Sequence, residues 1–215
     1  MSNCLFCAVY DRSDNPLNPE DSVLAESEFF FLKPALGQFV DGYCLVVAKE
    51  HYRTVAEMPT AAMRDLTLFY NLSISRLAQW FESPVIAFEH GAACPAERMG
   101  SCIDHAHIHL VPTSARANVS LEGLTECALP SFEDIHRLAA ENSYLFYEVE
   151  GQKRLWVGAQ HLPSQFMRRK LAESIELAGQ WDWRYYPFRE RVEAFCRLFR
   201  ARIADEGQSQ VRISA

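Results

Sequence analysis

The sequence predicts an α+β fold in two units, residues 1–113 and residues 114–215. Three observations predict it. Short apolar runs bounded by Pro, Gly and polar clusters recur through the first unit and read as a mostly antiparallel sheet. One long stretch in that unit, Thr60 to Phe81, has helical periodicity and supplies its principal helix. The second unit joins a hairpin pattern to two amphipathic helix patterns.

Each element follows from local chemistry. Asp11 to Ser22 is rich in Asp, Asn, Ser and Pro and reads as an exposed loop. Val23-Leu24-Ala25 and Phe29-Phe30-Phe31-Leu32 are strand-like and stop at Pro34, and Gly42 opens a further strand through Tyr43 to Ala48. Thr60 follows Pro59 and suits an N-cap, after which Leu66, Phe69, Leu77 and Trp80 form a stripe that only Ser73 interrupts. Val85 to Phe88 is a strand, the loop from Gly91 to Gly100 carries Gly and Cys, and Ile103 to Val111 is a strand that Pro112 closes. Beyond the polar loop Thr113 to Ser120, Tyr144 to Val149 and Arg154 to Val157 flank Glu150-Gly151-Gln152 as a hairpin. A helix is expected from about Ser164 to Leu177. Phe188, Val192, Phe195, Phe199 and Ile203 mark another with arginines on its far face, and Asp205 to Ala215 is expected to fray.

Composition narrows the function classes. The chain has 215 residues, 49% hydrophobic and 23% charged, enough to bury a core without disulfides. Its formal charge of −7 disfavours sequence-independent binding to a nucleic-acid backbone. The charge is uneven: residues 1–113 hold seven basic and fourteen acidic side chains, whereas residues 163–203 hold nine basic and five acidic. A phosphate-rich ligand should feel the second region. Seven scattered cysteines, paired only as Cys4-x-x-Cys7, fit a reducing compartment. The opening residues lack a basic n-region and an apolar h-region, and no apolar run approaches a bilayer span, so a soluble cytoplasmic protein is expected.

The most informative stretch is Asp104-His105-Ala106-His107-Ile108-His109-Leu110-Val111-Pro112. Alternate side chains of a strand share a face, so His105, His107 and His109 should line up while Ala106, Ile108 and Leu110 pack inward. Imidazoles so arranged suit metal ligation, or nucleophilic and acid–base work near neutral pH. A partly exposed strand that merely carries three histidines is the plain alternative.

This stretch resembles the histidine-triad (HIT) superfamily of nucleotide hydrolases and transferases, whose pattern alternates three histidines with apolar residues. Cys4-Leu5-Phe6-Cys7, Gly42-Tyr43-Cys44-Leu45-Val46-Val47 followed by Lys49-Glu50-His51, and Gly100 ahead of the triad agree, so the resemblance covers about residues 4–112. It implies a HIT-like antiparallel sheet with one principal helix. It further implies attack by the middle histidine, His107, on the α-phosphorus of a nucleotide or dinucleoside polyphosphate, with His105 and His109 flanking the phosphate. The Ser101-Cys102 turn would offer donors to the non-bridging oxygens. The substrate would be a nucleoside phosphoanhydride, phosphoester or phosphoramidate. A nucleotidyltransferase or phosphorylase, and a nucleotide- or RNA-binding module that keeps the triad as a pocket, are the alternatives. Small domains of this superfamily often form homodimers.

Two segments depart from the family pattern. Cys102 stands where many members have Ser or Thr, and Phe88-Glu89-His90-Gly91 followed by Ala92 to Met99 replaces a short Asn-x-Gly segment. His90 either reaches the ligand or bonds to a loop.

By the same resemblance, Cys4 and Cys7 are joined by His51 and His105 as ligands of a structural zinc, two thiolates and two imidazoles in closed tetrahedral coordination. Free thiols packed as small apolar groups are the other reading of the pair.

In the second unit, Pro163-Ser164-Gln165-Phe166-Met167-Arg168 and Asp182-Trp183-Arg184 resemble, more loosely, the C-terminal portion of CwfJ-type HIT-like proteins. Arg168 could clamp a phosphate and Trp181 or Trp183 could stack on a base. Equally, Arg168, Arg169 and Lys170 read as a solvated helix face.

Overall fold

A computed structural model of the chain describes residues 4–13, 16–92, 103–115, 121, 123–139 and 141–213, with side chains described to residue 207. Its strands are β1 (Ala25–Glu26), β2 (Phe30–Pro34), β3 (Cys44–Ala48), β4 (Val85–Gly91), β5 (His107–Pro112), β6 (Thr125–Ala128), β7 (Tyr144–Val149) and β8 (Gln152–Val157). Its helices are α1 (Leu5–Tyr10), α2 (Thr60–Phe81), α3 (Ile135–Ala139), α4 (Phe166–Ser174) and α5 (Arg189–Ile213).

All eight strands form one antiparallel sheet in the order β1-β2-β3-β5-β4-β7-β8-β6. The sheet runs through the boundary expected at residue 113. β4 pairs with β5 on one side and with β7 on the other, Phe88 standing opposite both His109 and Tyr147. The second half therefore extends the first half's sheet.

The central strands are buried on both faces, and strand alternation divides their side chains between two cores. One core gathers Phe30, Leu32, Val46, Ala87, Ile108 and Leu110 under Ala62, Met63, Leu66, Phe69, Tyr70 and Leu77 of α2, with Phe195 and Phe199 of α5 alongside. The other gathers Phe31, Leu45, Val47, Ile86, Phe88, Leu145 and Trp156 beneath Phe6 and Val9 of α1 and Phe166, Met167 and Leu171 of α4. One principal helix on a sheet was the expectation for the first half. α2 is that helix, and the sheet's other face is covered as well, by α1 and α4, because apolar side chains alternate outward from each central strand and neither face can be left to water.

α2 spans the expected residues, but Pro59 occupies the N-cap position and Thr60 is the first helical residue. Proline's fixed φ and missing N–H suit a helix start. Ser73 stays buried in the stripe because its hydroxyl donates to the Phe69 carbonyl at 2.7 Å. α1, β6 and α3 escape sequence reading, being only six, four and five residues long. The Cys4-x-x-Cys7 pair thus lies at and within the start of a short helix. α5 continues helical to Ile213, across the stretch expected to fray. It returns to the first half of the chain: Arg189 pairs with Glu20, Arg191 donates to the Phe39 carbonyl at 2.6 Å, and Arg76 pairs with Glu206 at 2.9 Å. Among the described residues no helix is long and apolar enough to cross a membrane.

Candidate functional site

The strand pattern Ala106-x-Ile108-x-Leu110 faces α2, which turns His107 and His109 to the opposite face of the sheet. There they line a cavity with Leu5 and Phe6 of α1, Lys33 and Leu45 of the neighbouring strands, His90 at the end of β4, and Gln165, Arg168 and Trp183 from the C-terminal half. Both halves of the chain thereby build one cavity around the triad.

His107 lies at the start of β5. Its Nδ1 lies 2.6 Å from the main-chain carbonyl of His105. A carbonyl only accepts, so Nδ1 carries the proton and Nε2 keeps its lone pair for the cavity. Burial, with His105 and Lys33 as further influences, pushes the His107 pKa down to about 4, although the His105 carbonyl opposes this. The ring is therefore neutral at pH 7.

His109 stacks on Phe88 with ring centroids 4.3 Å apart and planes 8° from parallel, and its Nδ1 lies 2.7 Å from the Tyr43 hydroxyl. Burial holds its pKa well below the ordinary histidine value, reinforced by His107 and Arg168. Tyr43, pushed up to about 12 mainly by burial, keeps its phenolic proton. Nothing in the sequence marks Tyr43 as a partner of His109, because they are 66 residues apart and meet only through the pairing of β3 with β5.

His105 faces elsewhere, and this corrects the flanking role expected of it. It sits in a bend before β5, its Nδ1 3.3 Å from Cys4 Sγ and 3.7 Å from Cys7 Sγ, and its Nε2 2.8 Å from the Ala48 carbonyl. Both ring nitrogens are committed, which leaves no atom for a phosphate. His51 Nδ1 lies 3.5 Å from Cys7 Sγ, and the four donor atoms of Cys4, Cys7, His51 and His105 all fall within 4.8 Å of one another. The edge of a tetrahedron with ordinary Zn–S and Zn–N bonds is roughly 3.3–3.8 Å, so the donor set and its spacing fit a zinc ion. The Ala48 carbonyl fixes the His105 ring, as an outer hydrogen bond does for a metal-bound imidazole.

Lys33 follows Phe30, Phe31 and Leu32 in alternation and so points to the triad face, which sequence analysis did not use. It is buried, donates to the Pro34 carbonyl at 3.0 Å, and has its pKa pushed down to about 8 by burial. His90 is buried too, and its Nε2 has no hydrogen-bond partner among the described residues. Burial chiefly, and then His107, pushes its pKa down to about 3.

Arg168 stands in the cavity wall, with Nε donating to the Trp181 carbonyl at 3.0 Å and Nη2 to the Gly37 carbonyl at 2.6 Å. Its guanidinium lies 5.1 Å from the ring centroids of Phe39 and Tyr43. It is buried, so the solvated-face reading does not hold for it. At Gly37, φ is +72° and a Cβ would stand 2.5 Å from Cβ of Trp183, so only glycine lets these two loops meet. Trp183 lines the cavity, while Trp181 packs against the core on that face. Ser101 and Cys102 lie outside the described residues.

No family model matches the chain, and no curated protein matches it. Among the solved structures similar to it are proteins named as members of the histidine-triad, or HIT, family. A HIT family protein from Bacillus subtilis is 21% identical over 52% of this chain and 74% of its own, with a TM-score of 0.43. A hypothetical histidine triad nucleotide-binding protein from Sulfolobus tokodaii is 21% identical over 51% and 68%, with a TM-score of 0.41. A HIT family hydrolase from Clostridium thermocellum is 18% identical over 58% and 99%, with a TM-score of 0.38.

Proposed function

We propose that the protein is a nucleotide hydrolase of the histidine-triad type, acting at the α-phosphorus of a nucleoside phosphoanhydride, phosphoester or phosphoramidate through a covalent nucleotidyl-histidine at His107. The observation that carries this reading is the 2.6 Å bond from His107 Nδ1 to the His105 carbonyl, which fixes one tautomer and leaves the other ring nitrogen to the cavity. In the first step Nε2 bonds to phosphorus as the bond to the leaving group breaks. The ring then carries a positive charge, and the Nδ1–H···O=C bond strengthens because its donor has become cationic. In the second step water displaces the ring from phosphorus, releasing the nucleoside monophosphate and returning His107 to its neutral state.

The surrounding residues support this chemistry. Lys33 brings positive charge to the cavity, where the α-phosphate gains charge on its oxygens during transfer. His109, neutral and pinned by Tyr43, presents its Nε2 beside His107. Cys4, Cys7, His51 and His105 would hold zinc, which when bound would fix the segment whose backbone carbonyl orients His107.

The test is rapid quenching of wild type and His107→Ala with dinucleoside polyphosphates and nucleoside phosphoramidates, followed by intact-protein mass spectrometry. Wild type should accumulate one nucleotidyl group per chain, and the variant none. Turnover that survives the substitution to within tenfold, or an adduct on another residue, would overturn the assignment.

A further inference from the structure

The cavity wall includes a buried residue whose acceptor catalysis at His107 does not use. Gln165 is 3% exposed, lines the same cavity as His107 and His109, and its Oε1 has no hydrogen-bond partner among the described residues. Its Nε2 donates to Oδ1 of Asp182 at 3.1 Å. Asp182 is held in turn by Arg184, whose Nε lies 2.9 Å from Oδ1, whose Nη2 lies 2.6 Å from Oδ2, and whose backbone N–H reaches Oδ1 at 3.0 Å. These bonds hold the Asp182 pKa down at about 2, so the carboxylate is ionised and can only accept. The amide cannot flip, because its oxygen would then face that carboxylate. Arg184 and Asp182 thus orient Gln165 so that its carbonyl oxygen is left unpaired.

The backbone carries the same message. Gln165 stands at the N-cap of α4 with φ +57°, a conformation that favours glycine. Of the described non-glycine residues at positive φ, it is the only one that is buried. Strain of this kind collects where a side chain is needed in one place.

We propose that the Gln165 carboxamide oxygen is the acceptor by which the cavity selects its nucleotide, through a neutral N–H or O–H donor on the nucleoside. A carbonyl oxygen repels the phosphate oxygens, whereas Lys33 attracts them, so the two residues mark the nucleoside and phosphate ends of the ligand. Trp183, Leu5 and Phe6 supply apolar surface to the same cavity. The donor is an exocyclic amine of the base or a hydroxyl of the ribose. The inference rests on the nucleotide reading above and adds to it a residue from the C-terminal half.

Calorimetric titration of the metal-loaded protein with the four common nucleoside 5′-monophosphates identifies the tightest binder. Analogues of that nucleotide lacking the exocyclic amine, the 2′-hydroxyl or the 3′-hydroxyl are then titrated into wild type, Gln165→Gly and Asp182→Asn. Wild type should lose about tenfold or more in affinity for one of these analogues, since a buried acceptor is left unpaired. The amine arm reports base reading and the hydroxyl arms report ribose reading. Gln165→Gly should bind parent and analogue alike, and glycine suits the backbone at φ +57°, so a melting temperature near wild type is expected. Asp182→Asn should relax the same discrimination, because an amide partner permits Gln165 to flip. Unchanged discrimination in Gln165→Gly, or no loss with any analogue, overturns the inference while leaving the nucleotide reading intact. A wild-type protein that binds none of the four overturns both.

Discussion

His107 is oriented by the backbone of His105, whose ring points away from it into the Cys4–Cys7–His51 cluster. Two residues apart in sequence, one in the bend before β5 and one at its start, the histidines are placed differently: His107 has its ring in the cavity wall and His105 gives its carbonyl to that ring. The Cys4–Cys7–His51–His105 cluster and the His107 ring therefore share a peptide segment, and anything that loosens the first should misplace the second.

His107→Ala should remove turnover by several powers of ten while changing the melting temperature by only a few degrees, since the side chain is only partly buried. Parallel assays of activity and thermal unfolding check this. A large loss of stability would make the ring a packing element.

Removing zinc should act on both stability and rate. Elemental analysis of protein purified without a metal-binding tag should give one zinc per chain. Chelation should lower the melting temperature and turnover together, and Cys7→Ser should reproduce both effects. Protein with less than a tenth of an equivalent of zinc, and a melting temperature indifferent to chelator, would leave the two thiols as packing.

Arg168 should behave as a tie between loops. Arg168→Ala removes bonds to the Gly37 and Trp181 carbonyls and should destabilise the fold by about 2–4 kcal/mol, with little salt dependence. Arg168→Lys should not restore stability, because a single ammonium cannot span both carbonyls as a planar fork does. Urea unfolding at low and high salt checks it. A variant as stable as wild type, with a salt-sensitive KM defect, would instead make Arg168 a phosphate ligand.

Glu89 should give the protein a pH-dependent stability. Its carboxyl is buried on the α2 face, accepting from the Val55 N–H at 2.8 Å and the Tyr144 hydroxyl at 2.8 Å, and burial pushes its pKa up to about 7. Between about pH 4.5 and 7 the native state keeps a proton that the unfolded chain releases. The stabilising contribution is thus complete below about 4.5 and is lost as pH rises through 7. Glu89→Gln should flatten the dependence over that window by ~3 kcal/mol. Urea midpoints at pH 5 and pH 8 for both proteins decide it; equal slopes would mean that another group titrates.

The local patterns were legible because they depend on neighbours in sequence. The β5 alternation, the α2 stripe and the Tyr144–Val157 hairpin each repeat with the period of their own backbone. Short elements with only one turn or pair of side chains, such as α1 and β6, carry too little periodicity to be read. The site was legible as a histidine strand, but not as a cavity. Lys33 reads as an ordinary strand lysine, and Gln165 as one polar residue in a helix-start pattern, until β2 and α4 are placed on one face of the sheet.

By itself the sequence determined which strand carries His107 and which of its neighbours share a face with it, since alternation along a strand is fixed by the pleat of the chain. Only the tertiary structure decided that His105 turns from the cavity to Cys4, 101 residues away, and that Gly37 and Arg168, 131 apart, close one wall. Contacts at that separation depend on strand order and on which face each element covers. Those are settled when two apolar faces of one eight-stranded sheet must both be buried, a requirement of the whole chain that no local window contains.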